Sequence, residues 1–328
     1  MPIERRSLLP AAGAATLAFG ILRHGVGTAE AAQPSNTPAQ APGFYRFRLG
    51  SKIVTMLNDG GGARPNPSQG FVRNAEGPAV EAALRAAFLP VDSMPIPYTI
   101  PSIEDAQGIT LFDAGTGGQL GPTAGRMAAN MQAAGMDPAR VVRVVMTHFH
   151  GDHITGLTDA DGKPLYPNAE LVVPKAEWDF WMDDTQMSRA AEAMKPAFAN
   201  VRKRVGPYRE RLRQIDGAAQ LATGIQAVPS YGHTPGHTSY LLSDGDDRLM
   251  VLGDVTNRPE LNLANPGWHL VFDMDPTQAE ASRREILDRA ASERIACVGY
   301  HWPFPARGHV VKEGDGYRLV PSSWSATI

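Results

Sequence analysis

The chain has 328 residues, of which 43% are hydrophobic and 20% are charged, and its formal net charge is −3. This length and apolar content are sufficient for one large domain or two small ones with a sizeable core. A weakly acidic chain without a basic excess argues against a nucleic-acid-binding protein. Cys297 is the only cysteine, which excludes an intrachain disulfide, and its apolar run 295–298 predicts a buried strand.

The N-terminus has the pattern of an export signal. Arg5 and Arg6 precede an apolar stretch at 11–22, and small residues at 29–32 offer a cleavage site. Paired arginines before a modest apolar segment are typical of twin-arginine signals, and the stretch is shorter than the roughly 20 residues that span a bilayer. We predict a signal over 1–32, a linker over 33–43, one folded domain over 44–328, and a periplasmic or secreted protein. The alternative is an uncleaved N-terminal arm.

From residue 44 onward, apolar runs of strand length alternate with amphipathic segments of helix length. Strands are predicted at 44–57 (two, broken at 50–51), 98–103, 109–112, 141–146, 169–173, 225–228, 239–242, 249–252, 295–300, 309–312 and 317–320. Helices are predicted at 80–88, 123–134, 175–184 and 188–205, and a further helix begins after the cap residue Asp275. The Gly- and Pro-rich segment 58–69 is predicted to be a loop. Two groups of strands with helices between them predict an α+β fold of stacked sheets with helices outside.

A cluster of histidines and one aspartate directly follows the predicted strand 141–146. His148, His150, Asp152 and His153 lie within six positions of one another. A loop at a strand end can direct such side chains toward one point, and imidazole with carboxylate suits zinc as well as Mn, Fe or Co. This spacing therefore predicts a metal site.

The other strong ligand candidates also follow predicted strands. The segment 231–237 contains His233 and His237, Asp254 follows the strand 249–252, and His301 ends the strand 295–300. The ends of several strands converging on one rim would form a site.

These motifs, His-x-His-x-Asp-His and then His, Asp and His in order, resemble the metallo-β-lactamase superfamily over residues 44 to the end. The resemblance implies a single-domain αββα sandwich with a dinuclear metal site, most simply two Zn²⁺ ions. It implies that one ion is bound by His148, His150 and His233, the other by Asp152, His153 and His301, and that Asp254 bridges them. It also implies that Asp113 and His237 orient ligands without touching metal.

A dinuclear site of this kind implies hydrolysis by a metal-bound hydroxide, with Asp152 and Asp254 also steering the hydroxide. No Ser or Cys nucleophile is required, and the absence of Gly-x-Ser-x-Gly from the sequence argues against an α/β-hydrolase.

The segments 120–130, 231–240 and 308–321 are similar to the branch of methyl parathion hydrolase and related lactone and aryl-ester hydrolases. This branch implies a homodimer and a neutral, hydrophobic small-molecule substrate: a lactone, an aryl ester or an organophosphate triester. Residues expected to contact the substrate are Leu120, Trp181, Trp268 and Phe272, with His269 beside them. For Trp181 the alternative is a core aromatic on an amphipathic helix.

Two other functions stay open at this point. One is β-lactam or thioester hydrolysis on the same metal ions, and the other is metal binding without turnover. No nucleic-acid partner is expected, and no membrane association after export.

Overall fold

The structure is a computed structural model that describes residues 40–328, and residues 41–328 form one compact unit. Two seven-stranded sheets make up its centre. The first contains, in spatial order, β1 (Phe44–Leu49), β2 (Lys52–Pro65), β3 (Ser93–Asp105), β4 (Gly108–Phe112), β5 (Val141–Val145), β6 (Glu170–Pro174) and β7 (Leu212–Ile215). The second contains β8 (Gln220–Ala222), β9 (Ile225–Pro229), β10 (Thr238–Asp244), β11 (Asp247–Val251), β12 (Ala296–Val298), β13 (Arg307–Glu313) and β14 (Gly316–Pro321).

Seven α-helices lie among these strands in the described part of the chain. They are α1 (Gly77–Ala86), α2 (Met127–Ala133), α3 (Gly151–Ile154), α4 (Lys175–Met182), α5 (Asp184–Arg189), α6 (Lys195–Val205) and α7 (Pro276–Ser292). The α7 helix begins as predicted, since the Asp275 side chain accepts a hydrogen bond from the Gln278 N–H and Pro276 occupies the first turn. Over residues 40–328, no helix is both long and apolar enough to span a membrane.

The two sheets pack face to face and helices cover their outer faces. Val54 and Phe112 of the first sheet share one buried cluster with Tyr240 and Met250 of the second. A second cluster joins the outer face of the first sheet to α2, α4 and α6, and Leu287 of α7 is buried with the second sheet. The predicted αββα sandwich is therefore confirmed, and its apolar layers supply most of the stabilising free energy.

The predicted loop at 58–69 is wrong over 58–65, because β2 continues to Pro65 and pairs with β3 as far as Ser93, and only residues 66–69 form a turn. A bulge between Asn58 and Gly60 shifts the register. At Gly61 a Cβ atom would lie 2.5 Å from the Ile96 carbonyl oxygen, so glycine is required for the close approach of the two strands. Glycine thus marks a tight strand pair here rather than a turn.

Other boundaries also differ from prediction. The continuous helix at 188–205 is interrupted, because α5 ends at Arg189 and Pro196 sits in the first turn of α6, the part of a helix that tolerates proline. The short strands β7 and β8 were not predicted, and α2 begins at Met127 rather than at 123. Cys297 is fully buried in β12, as predicted, and burial raises the pKa of its thiol to about 12. The predicted signal at 1–32 lies outside the described residues.

Candidate metal centre

Four chain segments that leave strand ends converge on one edge of the sandwich. Residues 147–153 follow β5, residues 230–237 follow β9, Asp254 follows β11 and His301 follows β12. Their ligand-type atoms gather into two adjacent groups. The first group is His148, His150, His233 and Asp254, and the second is Asp152, His153 and His301. All seven residues predicted as ligands are therefore brought together.

In the first group the ring nitrogens approach one another closely. His150 Nδ1 lies 2.9 Å from His233 Nε2. Asp254 Oδ2 is 3.3 Å from His233 Nε2 and 4.0 Å from His148 Nε2. His150 therefore presents its Nδ1 atom to the centre, whereas His148 and His233 present Nε2.

The second group meets the first at Asp254. Asp152 Oδ2 lies 3.7 Å from His153 Nε2 and 3.6 Å from His301 Nε2. Asp254 Oδ1 is 3.3 Å from His153 Nε2, and Asp254 Oδ2 is 3.1 Å from His301 Nε2. The Asp254 carboxylate thus faces both groups, which is the arrangement a bridging ligand requires.

Three atoms of the cluster are buried without any hydrogen-bond partner among the described residues: His148 Nε2, His153 Nε2 and Asp254 Oδ1. A buried polar atom without a partner costs about 1–3 kcal/mol, so three on neighbouring side chains indicate a missing partner that binds all of them. Imidazole nitrogen and carboxylate oxygen are ligands of Zn²⁺, Mn²⁺, Fe²⁺ and Co²⁺. The residues therefore fit two divalent metal ions.

The pKa values indicate which groups are ready to bind metal. Burial, reinforced by neighbouring imidazoles, holds the pKa of His148 and His150 well below the usual value, so both are neutral. Burial alone would raise the pKa of Asp254, but the imidazoles of His301 and His153 hold it well below normal. His233 differs: despite burial, Asp254 and Asp273 raise its pKa to about 9, so metal binding there releases a proton at neutral pH.

Hydrogen bonds from behind the cluster fix the orientation of the ligand rings. Asp113, at a positive φ of 68° after β4, accepts the Thr147 N–H through Oδ1 at 2.7 Å. Its Oδ2 lies 2.8 Å from His153 Nδ1, which is the kind of contact predicted for it. His301 Nδ1 donates to the Pro97 carbonyl at 2.9 Å. These bonds place the hydrogen on Nδ1 and leave Nε2 free to bind metal.

The corresponding partner of His233 is Asp273, which sequence reasoning missed. Asp273 Oδ1 lies 2.9 Å from His233 Nδ1, and Asp273 Oδ2 accepts from Arg283 at 3.1 Å. Asp273 and Arg283 are each 1% exposed. The only sequence signal was an aspartate just before the α7 cap, which does not distinguish an orienting carboxylate from a turn residue.

His237 is excluded from both groups by its hydrogen bonds. Its Nε2 accepts the Asp254 backbone N–H at 2.9 Å, and its Nδ1 lies 2.8 Å from Ser230 Oγ. Burial, with the His233 imidazole next in importance, lowers its pKa to about 3, so the ring is neutral. Both ring nitrogens are therefore occupied, and His237 supports the backbone of Asp254.

A cleft of about 480 Å³ opens onto the cluster. Its lining residues are Ile96, Tyr98, Leu120, His150, Gly151, Asp152, Asp254, Asn257, Phe272 and His301. Leu120 and Phe272 thus line it as predicted. Ile96, Tyr98 and Asn257 were not predicted to line it, and Ile96 lies in the part of β3 that precedes the predicted start of the strand.

One predicted substrate contact is wrong, and a second is not found in the lining of the cleft. Trp181 is 1% exposed, packs against Phe198 and donates to Glu177 Oε1 at 2.8 Å, so it is a core aromatic. Trp268 is half-buried, packs against the apolar cluster that includes Phe71, and is not among the described residues that line the cleft. His269 also lies elsewhere, since its Nε2 is 2.8 Å from Glu280 Oε2.

Known proteins share this architecture. A curated N-acyl homoserine lactonase from a Bacillus species is 21% identical over 191 residues, which are 58% of this chain and 64% of that protein, less than two thirds of its length. The structure of AidC, a dizinc quorum-quenching lactonase in complex with a product, aligns at a TM-score of 0.81 and 24% identity, covering 86% of this chain and 98% of AidC. The hydrolase AbOPH aligns at a TM-score of 0.82 and 23% identity, covering 88% of this chain and all of AbOPH. At such identities these structures establish the fold alone.

The family assignment rests on a separate match. Residues 103–298 match the family model of the metallo-β-lactamase superfamily. That segment contains β4 to β12 and six of the seven clustered residues, and His301 follows it directly. The chain therefore belongs to the metallo-β-lactamase superfamily.

Proposed function

We propose that the protein is a dinuclear metal hydrolase that cleaves neutral lactones or aryl esters, with organophosphate triesters as a main or side activity. The cleft carries this proposal: its floor is made of Asp152, Asp254 and His301, and its walls include Ile96 and Phe272. Among residues 40–328, no lysine or arginine lines it. Asp152 and Asp254 would be ligands of the two ions, so their charge does not decide the substrate. Apart from the ions, the described lining offers a negatively charged group on the substrate no lysine or arginine, and with its apolar walls it favours a neutral, hydrophobic substrate.

The residues of the chain would divide the chemistry as follows. His148, His150 and His233 would hold one ion, Asp152, His153 and His301 the other, and Asp254 both. When bound, the two ions lower the pKa of water toward about 7 and polarise the substrate oxygen. Asp152, whose side chain is 21% exposed, and Asp254 accept hydrogen bonds from the attacking water and orient it toward the carbonyl carbon or phosphorus.

Tyr98 adds a neutral donor to the cleft. Burial, together with the charges of Asp152 and Asp254, raises its pKa to about 12. The phenol therefore stays protonated at neutral pH and is available to donate a hydrogen bond to a substrate oxygen.

The relatives support the lactone class, since a curated relative and a similar structure are both lactonases by name. The triester part of the proposal depends on the similarity of segments 120–130, 231–240 and 308–321 to methyl parathion hydrolase. The same proposal includes export by a twin-arginine signal at 1–32, followed by a linker at 33–43. It also includes a homodimeric state. The mass of the mature protein from a periplasmic fraction and its sedimentation coefficient would test these two points.

A panel of four substrates tests the function. We expect metal-loaded protein to hydrolyse dihydrocoumarin or an acyl-homoserine lactone with the highest kcat/KM, to cleave methyl parathion measurably, and to act poorly on nitrocefin. Protein treated with a chelator serves as the inactive control and should regain activity with Zn²⁺. Nitrocefin as the only good substrate would overturn the proposal in favour of a β-lactamase. Failure of the two-metal protein to turn over any substrate would favour metal binding without catalysis.

Phe272 offers a test of the cleft itself. Its ring is 41% exposed and packs edge-on against Phe71 at 5.8 Å between centroids. Phe272→Ala removes apolar surface that a bound substrate would cover, at a cost of about 1 kcal/mol, so we expect KM for an aryl ester to rise roughly fivefold with little change in kcat. Phe88→Ala is the matched control, because Phe88 is 97% exposed and does not line the cleft. Equal KM values for both variants would place substrate binding elsewhere.

A further inference from the structure

Glu177 is a buried carboxylate on α4 that the proposed hydrolysis does not use. Its side chain has no exposed surface. Glu177 Oε1 accepts hydrogen bonds from the Phe149 N–H at 2.9 Å and from Trp181 Nε1 at 2.8 Å. Glu177 Oε2 accepts from the Gly236 N–H at 2.8 Å. Burial raises the pKa of the Glu177 carboxyl, and the hydrogen bonds from the N–H donors oppose that rise. The buried carboxylate is therefore stabilised by neutral N–H groups rather than by a cation.

The two backbone partners belong to the two segments that carry the three histidines of the first ligand group. Phe149 lies between His148 and His150, and Gly236 lies in the turn that begins at His233. One carboxylate therefore joins these segments from behind, one oxygen to each. The second group is held by other bonds: Asp113 contacts His153, and the Pro97 carbonyl contacts His301.

The backbone at Gly236 lies directly against the backbone of α4 at Glu177. A Cβ atom there would lie 2.1 Å from the Glu177 backbone nitrogen. The turn can therefore reach α4 only because residue 236 has no side chain, and α4 begins directly after β6, which fixes the position of Glu177 relative to the sheet.

We propose that Glu177 is a positioning residue for the first metal ion. By fixing the spacing between the segment of His148 and His150 and the segment of His233, it sets the affinity of that ion. The second ion, held by Asp152, His153 and His301, is affected little. This inference rests on the two-ion centre of the proposed function, but not on the substrate.

Glu177→Gln tests the inference with little change in volume. The amide has one acceptor oxygen and turns an NH₂ group toward Phe149 or Gly236, so one segment loses its partner and meets a donor. Metal-free protein is titrated with Co²⁺ against a competing chelator, and the visible spectrum of Co²⁺ separates the two sites. We expect one ion to bind roughly tenfold to a hundredfold more weakly and the other with wild-type affinity. Gly236→Ala is the second variant and should give the same selective loss, because it displaces the turn while keeping the carboxylate.

Trp181→Phe is the matched control, since it removes only the donor that lies on the same helix as Glu177. It should bind both ions as the wild type does, even if its melting temperature falls. Wild-type affinity for both ions in Glu177→Gln and Gly236→Ala would overturn the inference, and so would an equal loss of both, which would indicate a general structural role. Wild-type protein that binds two ions but cleaves no panel substrate would overturn the proposed function and leave this inference standing.

Discussion

Asp254→Ala is expected to lose bound metal and nearly all hydrolytic activity. The carboxylate lies within 3.3 Å of ring nitrogens from both ligand groups, so its removal takes one ligand from each. It also removes the carboxylate that faces the Nε2 atoms of His153 and His233, whose Nδ1 atoms keep their contacts with Asp113 and Asp273. We expect kcat/KM to fall on the order of 10³-fold or more, or about 4 kcal/mol of transition-state stabilisation. Elemental analysis of metal content and kcat/KM for the best lactone measure the two effects.

Two further variants make this result specific. Asp161→Ala removes an exposed carboxylate that belongs to neither group and should keep two ions per chain and the wild-type rate. Asp254→Asn keeps the shape of the side chain and one oxygen but not the negative charge, so it should bind metal more weakly than wild type. If Asp254→Ala retained two ions and the wild-type rate, the bridging role would be wrong.

The ligand cluster could be predicted from sequence because its signal is local. His148, His150, Asp152 and His153 lie together after a valine-rich run that predicts a buried strand, and each further candidate also follows a strand. Strand ends lie at the edges of sheets, so the secondary structure made convergence of these residues a reasonable expectation, which the order and direction of the strands then fulfil.

The surroundings of the cluster could not be predicted, because they depend on contacts between distant parts of the chain. Asp273 meets His233 across 40 residues, and Glu177 meets Gly236 across 59. Trp181 was misassigned for the same reason: an amphipathic helix does not reveal whether its aromatic face turns to a cleft or to a core. The error at 58–69 has a local cause, since the glycines that suggested a loop serve the close pairing of β2 and β3.

The sequence alone does not distinguish whether His233 or His237 faces the metal centre, and the geometry does. Each lies two residues from Pro235, each is buried, and each follows the strand β9. His233 Nε2 faces the centre because Asp273 holds its Nδ1. His237 turns Nε2 to the Asp254 N–H instead. The two histidines should therefore respond differently to the same substitution.

His233→Ala is expected to lose one of the two ions and to reduce kcat/KM by at least about a hundredfold, because it removes a ligand and leaves Asp273 with Arg283 as its remaining charged partner. His237→Ala should keep both ions. It leaves the Asp254 N–H and Ser230 Oγ short of a partner and opens a cavity, so it should lower the free energy of unfolding by about 2–4 kcal/mol. Metal content separates the two variants, and denaturant unfolding of the metal-free proteins measures the second effect. If His237→Ala lost one ion and His233→Ala kept both, His237 rather than His233 would be the ligand. The contact between His237 and the Asp254 N–H would then have no positioning role.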